Sequence, residues 1–227
     1  MMLNLFDQFN IPQLFNITLL PAIMLLPMMA MQVKTNRLKD NRLTTLYNWL
    51  IKKMMKTTMS KTSTLGQKWA PIMAATLLLI IIMNTTGLLP YTYTPTTQLS
   101  TTLALAAPLW AATVMTGMRN HPTRSIAHLL PEGTPTPLVP ALILIETASL
   151  LIRPVALGVR LMANLTAGHL LLQLISLATL TTVHTTPAAS MSLTLLLALL
   201  TILEMAVALI QAYVFALLVT LYLQENS

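Results

Sequence analysis

The 227-residue chain is 55% hydrophobic, only 8% charged and has a mean hydropathy of +0.71, so its polar surface is too small to coat a soluble domain of this length. Its net charge of +7 does not indicate nucleic acid: nine of the thirteen basic residues fall between Lys34 and Lys68 with few aromatics among them, which suits an anionic lipid surface. Lacking cysteine, it can form no disulfide, thiolate metal site or cysteine nucleophile.

Residues 1–10 carry only Asp7 and no basic targeting pattern, which points to direct insertion through the first helix or synthesis at the membrane. A first span is expected over 15–33, with Pro21 and Pro27 as kinks that a membrane helix tolerates. The basic segment 34–68 follows. Within it Leu43, Leu46, Tyr47, Leu50, Ile51, Met54 and Met55 recur at helical spacing, while Arg42, Lys52, Lys53 and Lys56 take other positions, predicting an amphipathic helix on the membrane face. Segments 69–89 and 99–118 read as a helical hairpin, with Trp69 at one edge and Tyr91 and Tyr93 at the other. The connecting loop is uncharged, whereas Lys34 to Lys68 and Arg119 to Glu132 lie on the opposite side; positive-inside bias puts those two on the inner face and the N-terminus outside.

After a proline-rich turn at 131–140 come two long apolar runs, 138–183 and 190–223. As continuous helices they would measure about 65–70 Å and about 50 Å, against a hydrocarbon core about 30 Å thick. They must either tilt strongly or break, with Pro154 and Gly158 as candidate break points; two strongly tilted helices are expected. The fold class is therefore all-α: a single polytopic membrane domain of about five membrane helices plus one surface helix, its C-terminus on the inner face. No inverted repeat relates the halves.

Polar residues inside these runs mark the candidate site. Arg160 cannot shed its proton, and placing it in hydrocarbon costs at least about 2.5–3.5 kcal/mol. Glu146, Arg153, Arg160 and Asn164 fall within about 80° of one another on a helix, whereas His169 and Gln173 face the opposite side. In the last helix Glu204 and Gln211 share a face, with Tyr213 across from Glu204. Such groups suit short wet proton paths separated by a fixed cation. The alternative is structural: Glu146 and Glu204 formally balance Arg153 and Arg160 and can lock helices together as ion pairs. Arg153, beside Pro154, can instead sit at a helix end and snorkel.

Other chemistries find little support. No glycine-rich phosphate loop exists among six glycines, and no His-Glu-x-x-His motif occurs. Asp7 and Asp40 both lie outside the apolar runs, against an aspartyl protease. His121 and His128 lack further nearby ligands, so no metal or cofactor is expected. Sequons at Asn16, Asn84 and Asn164 fall in or beside apolar runs and read as accidental. A stand-alone ion transporter would need no partner, and a structural membrane subunit would tolerate a neutral residue at Arg160.

In the stretches LGVRLMANLTAGH (157–169) and LEMAVALIQAYVF (203–215), in this order, the chain resembles the subunit a family of F-type proton-translocating ATP synthases, in its vertebrate mitochondrial form. The resemblance spans nearly the whole length, although the basic segment before Gly66 matches only in character. It implies a stator of the membrane sector that forms two half channels against a rotating ring of c subunits, alongside other stator and membrane subunits. Arg160 matches the family's essential arginine, which faces the ring carboxylate and separates the half channels. His169 and Glu204 match the polar pair of the half channel open to the intermembrane space, where bacterial relatives carry an acid and a histidine in swapped order. Glu146 matches the acid of the matrix half channel, and Asn164 and Gln211 match polar residues near the arginine. The implied location is the mitochondrial inner membrane, made inside the organelle, with the N-terminus towards the intermembrane space and the C-terminus towards the matrix.

Overall fold

A computed structural model describes residues 6–14, 17–31, 41–59, 64–89, 92–120, 122–127, 136–183 and 186–226. Expectations for Tyr91, His121, His128, the basic residues of 32–40 and 60–63 and most of the proline-rich turn fall outside these residues. The chain is built of helices: α1 (Leu20–Met31), α2 (Arg42–Met59), α3 (Thr64–Gln67), α4 (Ala70–Gly87), α5 (Leu99–Asn120), α6 (Pro122–Ala127), α7 (Val139–Val183) and α8 (Pro187–Asn226). One small exception precedes α1. Strands β1 (Gln13–Leu14) and β2 (Ile17–Thr18) pair antiparallel, so α1 begins at Leu20 rather than Phe15. Pro21 then sits in the first helical turn, where its missing N–H costs no intrahelical bond.

Among the described residues four helices are long and apolar enough to cross a membrane: α4, α5, α7 and α8. The 12 residues of α1 rise only about 18 Å, and the rest of the expected first span lies partly outside the described residues. On α2, Leu50, Ile51, Met54 and Met55 are half-buried and Met59 buried, while Arg42, Lys52, Lys53 and Lys56 are exposed. Lys53 Nζ lies 4.9 Å from the centre of the Trp49 ring, a cation–π contact.

Neither long helix breaks. α7 continues for 45 residues through Pro154, and α8 for 40. Pro154 removes one backbone donor and leaves the Leu150 carbonyl without its usual partner, which a membrane helix packed against neighbours absorbs. Gly158 is not a break point either. A β-carbon there would lie 2.9 Å from Leu103 Cδ2 and 3.4 Å from the Leu103 nitrogen, so the absent side chain admits α5 against α7.

Packing divides into two units, residues 1–32, 78–101 and 160–213 in one, and 33–77, 102–159 and 214–227 in the other. In the first, the buried apolar residues include Ile80 and Met83 of α4, Leu161 and Leu165 of α7, and Ala208 and Ala212 of α8. Fully buried Asn84 donates from Nδ2 to the Ala208 carbonyl at 3.4 Å, tying α4 to α8. At the start of α5, Thr101 donates to the carbonyls of Pro95 at 2.5 Å and Gln98 at 2.9 Å. Gln98 donates to the Phe9 carbonyl at 2.7 Å, anchoring the N-terminal segment. In the second unit Met73 and Leu77 of α4, Ala106 of α5, Leu157 of α7 and Phe215, Val219 and Leu223 of α8 are buried.

Candidate functional site

The phase of α7 sorts its residues sharply. Leu157, Leu161 and Leu165, four apart, are buried, whereas Ala156, Val159, Arg160, Ala163, Asn164 and Ala167 face outward. Arg160 thus stands on an outward face built mostly of small apolar residues. Among the described residues it makes no ion pair. That face continues in both directions with exposed Ile152, Val155 and Leu171, an apolar surface that a water-soluble protein would not carry. It requires lipid or a partner surface.

On the inward side α7 meets α8. His169 Nε2 and Glu204 Oε1 lie 3.9 Å apart, with the two side chains 15% and 7% exposed. This distance allows electrostatic attraction but exceeds a hydrogen bond. His169 Nε2, both Glu204 carboxylate oxygens and Gln173 Oε1 are buried without a hydrogen-bond partner among the described residues. Buried polar groups in this condition are few in folded proteins and each asks for a reason, a catalytic role among them; Asn84, Tyr93 and Thr96 carry others. Glu204 lies against Gly168: a β-carbon at that position would be 2.7 Å from Oε1 and 3.1 Å from Cδ. The glycine therefore lets the carboxylate rest against the α7 backbone. A cavity of about 170 Å³ opens here, lined by Asn164, Ala167, Gly168, Leu171, Leu172, Leu200, Leu203, Glu204 and Val207. Its wall is almost wholly apolar around one acid and one amide.

Asn164 donates from Nδ2 to Gln211 Oε1 at 3.4 Å, and Gln211 is buried. Asn164 therefore belongs both to the outward face of Arg160 and to the cavity of Glu204. The two polar stripes expected on α7 are joined by α8, whose Glu204 and Gln211 reach His169 and Asn164 respectively.

The second unit holds a separate charged group. Arg153 Nη1 donates to Glu225 Oε2 at 2.6 Å, and Nη2 lies 3.7 Å from Glu146 Oε1. The Arg153 guanidinium carbon lies 5.4 Å from the centre of the Tyr222 ring. The structural alternative of paired charges thus describes Arg153 and Glu146, but not Arg160. Sequence reasoning did not single out Gly168 or Glu225, and it discounted Asn84. Asn84 carried a usable signal, an amide directly after the apolar run 77–83; the other two are marked only by what the neighbouring helix brings to them.

A family model described as ATP synthase A chain matches residues 14–224. The chain is 58% identical over 226 residues to "ATP synthase F(0) complex subunit a" of Struthio camelus, covering 100% of both chains. It is 56% identical over 212 residues to the protein of the same name from Tropidurus montanus, covering 93% of this chain and 100% of that one. With the corresponding protein of Scyliorhinus canicula the identity is 54% over 226 residues and 100% of both chains.

Proposed function

The chain belongs to the ATP synthase A chain family, and on that premise we propose how the polar residues of its long helices move protons. It is a proton-translocating subunit of the membrane sector of ATP synthase, a mitochondrial membrane protein that works with other subunits of the complex. It acts as the stator against a ring of c subunits and leaves nucleotide chemistry to the rest of the assembly. Its N-terminus faces the intermembrane space and its C-terminus the matrix of the inner membrane, with α2 resting on anionic lipid through Arg42, Lys52, Lys53 and Lys56.

Arg160 faces the ring carboxylate. Its permanent charge stabilises the ionised acid, so the carboxylate stays ionised and cannot be protonated while opposed. Once rotated towards His169 and Glu204, the ring acid accepts a proton. It becomes neutral and can enter lipid, which an ionised carboxylate resists by several kcal/mol. His169 and Glu204 can both carry a proton, and at 3.9 Å a small approach brings them within exchange distance. Asn164 and Gln211 support this path as an amide pair without titrating. After nearly a full turn the ring acid releases its proton to the path containing Glu146. Each charge moved across the membrane supplies about 2.3 kcal/mol per 100 mV, and several together bias rotation. Arg160 also repels a proton passing directly from one half channel to the other.

The observation that carries this assignment is Arg160: an obligate cation on an outward apolar face, unpaired among the described residues, on the helix whose His169 lies 3.9 Å from buried Glu204. The test is proton flux in vesicles holding the assembled complex, comparing the natural chain with Arg160→Gln under an applied potential and during ATP hydrolysis. ATP-driven pumping should be lost while passive leak is kept or increased. Normal pumping in an assembled Arg160→Gln complex would return the arginine to a structural role.

A further inference from the structure

We infer that Arg153 is a positioning residue shared between two tasks, tying the last turn of α8 to α7 while presenting a cation to Glu146. This rests on the assignment of Glu146 to the proton path. The groups converge from both helices. Glu146 and Arg153 are seven residues apart on α7, two turns, and so share a face. Tyr222 and Glu225 are three apart near the end of α8, one turn, and reach the same guanidinium. Among the described residues, these are the titratable groups in ion-pair or ring contact with Arg153.

The two carboxylates are held unequally. At 2.6 Å the Glu225 contact is a short charge-assisted hydrogen bond, whereas at 3.7 Å the Glu146 contact is an ion pair without a hydrogen bond. Different nitrogens serve the two acids: Nη1 turns to Glu225 and Nη2 to Glu146. Because the guanidinium is planar and rigid, fixing Nη1 on Glu225 also fixes where Nη2 points, and the Tyr222 ring limits rotation of the plane. Glu225 thereby holds Arg153 at ion-pair distance from Glu146 without the short hydrogen bond that Glu225 itself accepts. Buried Val219 and Leu223 also pack the α8 end, so the ion group is not alone in seating this helix.

The experiment measures ATP-driven proton pumping per assembled complex in vesicles, with assembly quantified on native gels. The variants are Glu146→Gln, Glu225→Gln, Arg153→Lys and the double exchange Arg153→Glu with Glu225→Arg. Glu225→Gln and Arg153→Lys should assemble and pump more slowly by roughly threefold to tenfold, since lysine keeps the charge but loses the fork. The double exchange should assemble like the natural chain but pump slowly, because position 153 then sets an anion beside Glu146. Natural pumping in the assembled double exchange would overturn the proposal and leave a plain structural tie. So would unchanged pumping in both Glu225→Gln and Arg153→Lys. If Glu146→Gln pumps normally while Arg160→Gln does not, the assignment of Glu146 fails and the proposal with it. If Glu146→Gln is slow but Glu225→Gln and Arg153→Lys are normal, only the positioning role fails.

Discussion

Adding one methyl group at Gly168 tests whether the seating of Glu204 against α7 matters for proton transfer. A β-carbon there would stand 2.7 Å from Oε1, 3.1 Å from Cδ and 3.4 Å from Cγ of Glu204. Restoring ordinary contact at about 3.4 Å requires the nearest oxygen to retreat by about 0.7 Å. The backbone of α7 does not yield easily at a helix contact, so the carboxylate is the part that moves, changing a His169 separation that is already 3.9 Å. Misplacing a catalytic group by 1 Å can cost on the order of 100-fold in rate, so Gly168→Ala should lower ATP-driven pumping by roughly tenfold or more in assembled complexes. Replacing Glu204 with Asp withdraws the carboxylate by one carbon–carbon bond, about 1.5 Å, and opens the space that the new methyl needs. The double variant Gly168→Ala with Glu204→Asp should therefore pump faster than the product of the two single effects. Pumping of Gly168→Ala within twofold of the natural chain would refute the steric reasoning. A double variant no better than that product would show that any defect arises elsewhere on the helix.

Glu204→Gln preserves size but abolishes proton exchange, and flux should fall by about 100-fold or more, measured in the same vesicles at equal assembly. Asn84→Val should destabilise the subunit by about 0.6 kcal/mol, and by no more than about 2, because it removes one interhelical hydrogen bond to the Ala208 carbonyl. The readout is the denaturant midpoint of the detergent-solubilised complex, and no shift would mean that the 3.4 Å contact contributes nothing net. Replacing Lys52, Lys53 and Lys56 with Ala in a peptide of residues 41–59 removes about 1 kcal/mol of attraction per charge to anionic vesicles, roughly 100-fold in partitioning. Equal partitioning of the two peptides at low salt would remove lipid charge as the reason for this basic face.

Hydrophobic run length and helical period anticipated about five membrane helices, four of which are long and apolar among the described residues, and the amphipathic character of α2, because both are properties of consecutive residues. The same holds for Arg160: a cation that cannot deprotonate is conspicuous in an apolar run wherever the helix is placed. Continuity through Pro154 and Gly158 was different. A proline can kink or break a helix, and neighbouring contacts decide which; at Gly158 the presence of Leu103 of α5 supplies the reason for a glycine.

Partnerships across helices lay beyond one-dimensional pattern. Helical phase separates Asn164 from His169 on α7, yet Gln211 and Glu204 of α8 gather both. Formal charge balance allowed Arg153 or Arg160 to take either internal acid, whereas the fold brings Glu146 and the distant Glu225 to Arg153 and leaves Arg160 unpaired among the described residues. Side-chain identity and period determine which groups a helix offers and on which face. Which of them meet depends on the register and separation of two helices, set by packing at small residues such as Gly168, Ala208 and Ala212 far apart in the chain.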